Sequence, residues 1–275
     1  NVEMWRNPAN QRNIAQLVSD GLTVFPPDAG DLACGETGEG RMAEPAALAD
    51  LLADLWTPKT LRGKKVLITA GATFEAIDPV RGITNLSSGQ MGAELARACR
   101  AAGAQVTLIH GQMQAALPAG LHETVSAVSA QAMYEAVMAR VADSDIFVAV
   151  AAVADYKVKN AAAHKLKKDG SGRPPVIELE ENPDILAAAA ALPHPPFCVG
   201  FAAESRNILE YARAKRAKKN IPLIVANDVA VAMGKAGNQI TLIDAARETV
   251  LPHCGKAEAA AAIVGRIAEM TVEAV

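Results

Sequence analysis

Three groups of residues carry side chains suited to holding a phosphorylated anion. The first is Asp78-Pro79-Val80-Arg81, followed by Asn85-Leu86-Ser87-Ser88-Gly89. Arg81 offers a two-pronged fork for a phosphate or carboxylate. Asn85 offers both donor and acceptor. Ser87, Ser88 and Gly89 stand where a helix begins, so hydroxyls and backbone N–H groups converge there; plain helix capping is the other reading of the same residues. The second group is Lys165-Leu166-Lys167-Lys168 beside Asp169-Gly170-Ser171-Gly172. It reads as a loop that closes over phosphates, or as a solvated charge run. The third is the helical segment with Arg213, Lys215, Arg216, Lys218 and Lys219. Lys215 and Lys219 are four apart and share a face, so an anion between them would relieve their repulsion; surface solubility is the alternative. Asp155, after Ala151-Ala152-Val153-Ala154, is placed either to accept from ribose hydroxyls or to cap a turn. Asn182-Pro183-Asp184-Ile185 reads as a sharp helix start after a strand. Phe201, at a strand end, either stacks on a base or fills core. No nucleophile is paired with a base anywhere in this set.

These groups need a scaffold, and the apolar pattern supplies one. Short continuous apolar runs occur at 66–69, 106–109, 146–150, 197–201 and 223–226. Such runs fit strands buried on both faces, as in a parallel sheet. Ala-rich helical stretches lie between them, at 91–102, 130–142, 184–191 and 208–219. The alternation predicts an α/β, doubly wound, Rossmann-like and mostly parallel sheet. A late β-hairpin is expected at 240–243 and 249–251, and a final helix at 256–270. The first strand lacks the GxGxxG turn of dinucleotide folds; a long loop runs from Gly71 to Gly89 instead.

Composition narrows the classes further. The chain has 275 residues, 51% apolar and 21% charged, with net charge −3 and 4% aromatic residues. Neither phosphate tracking nor base stacking has much material, so nucleic acid is not an expected partner. No apolar run reaches the roughly 18 residues of a membrane helix, so no membrane association is expected either. Four cysteines, Cys34, Cys99, Cys198 and Cys254, lack metal-ligand spacing, and a reducing cytoplasm is the natural compartment. Residues 1–45 are rich in Gly and Pro, with one helix predicted over 11–18 and a second over 45–55. The chain begins Asn-Val-Glu-Met-Trp and reads as a fragment of something longer. A boundary is expected at 56–60, where Trp-Thr-Pro-Lys-Thr breaks the pattern.

Taken together, the motifs resemble bacterial phosphopantothenate–cysteine ligase. They are Asp78-Pro-Val-Arg81, Asn85-x-Ser-Ser-Gly89-x-Met-Gly92, Ala151-Ala-Val-Ala-Asp155-Tyr, Lys165-x-Lys-Lys168, Asn182-Pro-Asp-Ile185, Gly200-Phe-Ala-Ala-Glu204 and Ala226-Asn-Asp228, and they span 61–275 in order. The first segment resembles the tail of phosphopantothenoylcysteine decarboxylase, the partner activity in a bifunctional flavoprotein of coenzyme A biosynthesis. There Asn1-Val-Glu-Met-Trp5 and Ala33-Cys34-Gly35-Glu36-x-Gly38-x-Gly40-Arg41-Met42 carry the likeness. The expected division is thus a decarboxylase remnant and linker over 1–57 and a ligase domain over 61–275.

The resemblance implies a reaction in which the carboxylate of 4′-phosphopantothenate attacks the α-phosphate of CTP. An acyl-cytidylate forms, pyrophosphate leaves, and the amine of cysteine takes the acyl group. By the same resemblance, Ala149, Val150 and Ala151 would present backbone to the nucleotide, and Asp155 would hold the ribose. Lys165 would meet the triphosphate. Pro183, Asp184, Ile185 and Leu186 would wrap the nucleotide, Phe201 would lie against it, and Lys215 with Lys219 would clamp its charge. Arg81, Asn85, Ser87, Ser88 and Gly89 would serve the acyl substrate, in part from a neighbouring subunit of a homodimer. Mg2+ is expected with the triphosphate, its protein ligands unassigned. In the tail, Cys34 would be a proton donor and Asn1 would bind the substrate carboxylate. FMN is expected only in the intact parent, which would form a higher oligomer, because its flavin-binding part lies upstream. Two other classes compete: an NAD(P)-dependent oxidoreductase, disfavoured by the missing GxGxxG, and a non-catalytic nucleotide-binding module, separable by turnover.

Overall fold

A computed structural model of the chain describes residues 1–31, 35, 37–167, 175–204, 206–228 and 237–272. The chain divides into two compact units, Asn1–Thr57 and Pro58–Val275. In the first, α1 (Val2–Arg6) starts at Asn1, whose side chain accepts from the Met4 N–H. α2 (Pro8–Ser19) begins three residues before the predicted helix. Pro8 reads as a loop residue in sequence but sits in the first turn, where its missing N–H has no helical partner to lose. β1 (Asp28–Asp31) and β2 (Thr37–Arg41) pair antiparallel, and α3 (Pro45–Leu52) follows.

The second unit opens with β3 (Lys65–Ala70), the hairpin of β4 (Phe74–Asp78) and β5 (Arg81–Thr84), then α4 (Gln90–Ala101). Next come β6 (Gln105–His110), β7 (Glu123–Ser126), α5 (Ala130–Met138), β8 (Ile146–Ala149) and the short strands β9 (Tyr156–Val158) and β10 (Leu179–Glu181). The remainder is α6 (Ile185–Ala190), β11 (Phe197–Glu204), α7 (Ile208–Lys219), β12 (Leu223–Asp228), β13 (Gly237–Asn238), β14 (Ile240–Ile243), β15 (Glu248–Val250), β16 (Cys254–Gly255) and α8 (Lys256–Val272).

The main sheet has eight strands in the order β15-β14-β12-β11-β8-β3-β6-β7. The six strands from β7 to β12 are parallel, and β14 and β15 run antiparallel to their neighbours. Read from β7, the parallel strands follow the chain order third, second, first, fourth, fifth, sixth, as in a doubly wound fold. The strand order reverses between β3 and β8, and a crevice opens there at the strands' carboxyl ends.

Alternation along each buried strand sends residues to both faces. Val66, Ile68, Leu108 and Val148 pack with Leu95 and Cys99 of α4 and Ile263 and Ile267 of α8. Leu67, Ile109, Phe147 and Cys198 pack with Met133 of α5, Leu186 of α6 and Ala212 of α7. Burial pushes the Cys99 and Cys198 thiols up to about 12, which removes both as nucleophiles at neutral pH. Among the described residues, no helix is long and apolar enough to cross a membrane. No described group of three or more His, Cys, Asp or Glu converges as a metal site.

Helix α4 rests directly on β3 because Gly92 faces Ala70. A Cβ at Gly92 would drive into the Ala70 methyl and lie 3.4 Å from Val150 Cγ1. Gly92→Val should therefore cost about 1–3 kcal/mol, read from the denaturant midpoint. Gly265 in α8 is the control, because a Cβ there meets nothing within 4 Å. Gly265→Ala should stabilise by about 0.5–1 kcal/mol. Equal losses at the two positions would contradict the packing described.

Candidate functional site

A cleft of about 460 Å³ lies at the carboxyl ends of β3, β8 and β11. One wall is the chain leaving β8, and its backbone is held from several sides. The Ala151 and Ala152 N–H groups donate to Thr69 Oγ1 (3.4 Å) and to the Gly71 carbonyl (2.8 Å). The Ala154 N–H donates to Thr73 Oγ1 at 2.9 Å. Asn85 Nδ2 donates to the Ala152 and Val153 carbonyls, both at 3.1 Å. Asn182 donates its backbone N–H to the Asp155 carbonyl (2.8 Å) and its Nδ2 to the Ala154 carbonyl (2.9 Å). The wall is thus fixed while the Asp155 side chain stays exposed at the cleft.

The opposite wall is the start of α6 and the inner face of α7. Asp184 caps α6 by accepting from the Ala187 N–H at 3.0 Å, and the same oxygen accepts from Lys219 Nζ at 2.7 Å. Burial alone would raise the Asp184 carboxyl. The Lys219 and Ala187 hydrogen bonds, with the charges of Lys219 and Lys215, outweigh that and hold it below its ordinary value. Lys215 Nζ donates to the Phe201 carbonyl at 2.7 Å. Lys218 and Glu181 also line the cleft.

A second polar cluster sits at the turn between β4 and β5. The Asp78 side chain is fully buried. Its Oδ1 accepts from the Val80 and Arg81 N–H groups, both at 2.9 Å. Its Oδ2 accepts from Arg81 Nε (2.9 Å), from Arg81 Nη2, and from the Leu166 N–H (3.1 Å). Arg81 Nη2 donates on to the Leu166 carbonyl at 3.0 Å. The Arg81 hydrogen bonds hold the Asp78 carboxyl well below its ordinary value, against burial, with help from the Val80 and Leu166 N–H groups and the Arg81 charge.

Ten of the twelve residues expected to hold a nucleotide line the one cleft: Ala149, Ala151, Asp155, Pro183, Asp184, Ile185, Leu186, Phe201, Lys215 and Lys219. The other two do not. Val150 packs its side chain toward α4. Lys165 lies off the cleft because the chain after β9 runs along β4, held by Ala162 N–H to the Ile77 carbonyl (2.9 Å) and by Leu166. The open fork expected of Arg81 is instead closed on Asp78 and Leu166. The Asn85 amide braces the cleft wall instead of pointing its donors at a ligand. Ser87 and Ser88 accept from the Gly89 and Gln90 N–H groups at 3.3 and 3.4 Å, local turn contacts just before the helix, whose N-cap is Gly89. Gly89 lies at φ 75°, and the space a Cβ would take is filled by the Met113 side chain. Asn1 caps α1, while Cys34 and Lys168 lie outside the described residues. Sequence reasoning counted Lys218 among the cations of its helix but left it out of the charge clamp, and it passed over the bracing role of Asn182.

Acid should test these carboxylates. Asp78 and Asp184 have folded pKa values below the ordinary 3.8, so their stabilisation is complete above that value and is lost as pH falls below it. The unfolding midpoint of wild type should fall steeply below about pH 4. Asp78→Asn should be less stable at neutral pH and show a flatter acid limb. Parallel curves would contradict the assignment.

Comparison with known proteins places both units. Residues 61–271 match the family model for the DNA/pantothenate metabolism flavoprotein C-terminal domain, and residues 1–57 match the one for Flavoprotein. The chain is 50% identical over 232 residues to the coenzyme A biosynthesis bifunctional protein CoaBC of Vibrio parahaemolyticus, covering 84% of this chain and 58% of that one. It is 44% identical over 232 residues to the protein of the same name in Escherichia coli K12, covering 83% of this chain and 57% of that one. The chain therefore spans somewhat under three fifths of the length of these curated relatives. The crystal structure of the C-terminal domain of a CoaBC superposes with TM-score 0.67 at 39% identity, covering 78% of this chain and 99% of that one. The DNA/pantothenate metabolism flavoprotein of Streptococcus pneumoniae shares the fold, with TM-score 0.65 at 22% identity, over 74% of this chain and 98% of that one.

Proposed function

The chain belongs to the family of DNA/pantothenate metabolism flavoprotein C-terminal domains, and from that premise we propose that it is a phosphopantothenate–cysteine ligase driven by CTP. The observation that carries the reading is the gathering of ten expected nucleotide residues around one cleft at the point where strand order reverses. Open α/β sheets bind their ligands there.

In this reading Asp155 accepts from the ribose hydroxyls. The phosphates lie toward Lys215, Lys218 and Lys219, whose present partners they replace in part. The carboxylate of 4′-phosphopantothenate attacks the α-phosphate, and its oxygen becomes the bridge of an acyl-cytidylate as pyrophosphate leaves. The amine of cysteine then attacks the acyl carbon and CMP leaves. The protein's work is positioning and charge neutralisation, which suits a site with no activated nucleophile. Mg2+ would enter on the triphosphate and neutralise phosphate charge. Asp155, Glu181 and Asp184 are the carboxylates that line the cleft and could help hold it, and one or two carboxylates with substrate phosphates are the usual setting for this ion.

Lys165 and Arg81 lie off their own cleft, and in a homodimer they would serve the partner's. Residues 1–57 would belong to the flavin-dependent decarboxylase of the longer parent. There Cys34 and Asn1 would meet the substrate, with FMN held by the parent as a whole.

The test is product release with CTP, 4′-phosphopantothenate and cysteine, each omitted in turn. All three together should give sustained pyrophosphate and CMP. Without cysteine, pyrophosphate should stop near one equivalent per site and no CMP should appear. Nucleotide binding without turnover would overturn the ligase reading in favour of a binding module. Lys165→Gln should slow the pyrophosphate burst about a hundredfold, the usual loss for one such contact in a transition state. An unchanged burst would make the lysine tract a solvated run. A chain starting at Leu61 should keep CTP- and cysteine-dependent ligation, and loss of turnover would show that the first unit is needed.

A further inference from the structure

The Asp78 carboxylate takes hydrogen bonds from five donors, more than a tight turn requires. The Val80 and Arg81 N–H groups alone close the turn. Of the remaining three donors, two belong to the Arg81 side chain and one lies 88 residues away in Leu166, whose N–H donates to Asp78 and whose carbonyl accepts from Arg81. The Leu166 peptide is thus gripped at both ends. A buried carboxylate carries a desolvation cost of several kcal/mol unless it is fully paired. That cost has no return in a turn that a solvent-facing residue could close.

The same hairpin reaches the cleft at its base. Thr84 Oγ1 donates to the Thr73 carbonyl at 2.7 Å, and Thr73 Oγ1 and Asn85 hold the wall at 152–154. One rigid element therefore joins the lysine tract at its tip to the wall bearing Asp155 at its base.

We propose that Asp78 is a positioning residue of the ligation: by clamping the Leu166 peptide it sets Lys165 for its partner in the reaction. The proposal rests on the ligase reading, but the clamp itself has a readout that does not.

Trypsin cleavage after Lys165 and Lys167 in the full chain measures the clamp. Asp78→Asn keeps the side-chain shape and one acceptor for the turn, but it cannot accept at both oxygens. Cleavage should quicken by about tenfold or more. Leu166→Pro removes the loop's N–H donor, fixes the local backbone and leaves the Asp78–Arg81 pair intact, so it serves if Asp78→Asn does not fold. The bond between Lys165 and the introduced proline resists trypsin, so in this variant cleavage is read after Lys167 alone, where it too should quicken. Unchanged cleavage in both variants overturns the clamp whatever the enzyme does.

The positioning role is read from a double-mutant cycle on the pyrophosphate burst. Asp78→Asn or Leu166→Pro alone should slow the burst about tenfold or more, as small misplacements of a catalytic group do. In the Lys165→Gln background either change should add less than about threefold, because the group being positioned is already gone. CTP affinity should shift little, because the contact of Lys165 that is lost is the one that strengthens as charge builds on the leaving pyrophosphate in the transition state. Losses that multiply across the cycle would make Asp78 a merely structural residue and overturn the proposal. A wild-type protein that releases no pyrophosphate would overturn the ligase reading and the positioning role together, while leaving the proteolysis result to stand on the clamp.

Discussion

A chain that leaves a parallel sheet where strand order reverses must satisfy its backbone groups without a neighbouring strand. At residues 151–155 that demand is met by Thr69, Gly71, Thr73, Asn85 and Asn182, drawn from three separate stretches of sequence. Each unpaired backbone group in such a place would cost about 1–3 kcal/mol, so the set locks the wall in one conformation. Everything else follows from that rigidity. Asp155 is aimed by a backbone that cannot rotate away. The β4–β5 hairpin is tied to the same wall, so what happens at its tip is felt at its base. The start of α6 is drawn to the wall by Asn182 and is joined to α7 by the Asp184–Lys219 pair.

The charges across the cleft are arranged for exchange. Lys219 is paired with Asp184 and Lys215 with the Phe201 carbonyl, so both ammonium groups are held in place before any anion arrives. On the proposed reading, an entering phosphate would compete with a partly exposed carboxylate and a neutral carbonyl, neither of which matches a polyanion. Side-chain ordering has therefore been met in the folded protein, which favours binding. Lys218, on the same helix and also at the cleft, adds a third cation.

The fold was legible because its strands are fully buried: continuous runs such as Val66-Leu67-Ile68 have few other structures open to them. β7 escaped because Glu123-Thr124-Val125-Ser126 is a short edge strand that is buried on one side only. The hairpin escaped for a different reason. Asp78-Pro79-Val80-Arg81 is a turn sequence, with Asp first and Pro second, yet its charges drew attention to ligands. Arg81 stands three residues after Asp78, and that spacing was itself the signal that its fork would be filled locally. Asp155 and the α7 lysines, which line the cleft, could be singled out as candidates from residue type. Small or apolar lining residues such as Ala149, Pro183 and Leu186 carry no chemical signature, and only family resemblance pointed to them. Contacts such as Asn85 to Ala152 span 67 residues, and no local pattern encodes them.

The central claim is that the nucleotide lies between the 151–156 wall and the start of α6. A crystal structure of the protein with CTP tests it directly. The account predicts the ribose against Asp155 and the phosphates directed toward Lys215 and Lys219. Nucleotide bound at the start of α4, beside Ser87 and Ser88, with this cleft empty, would contradict it.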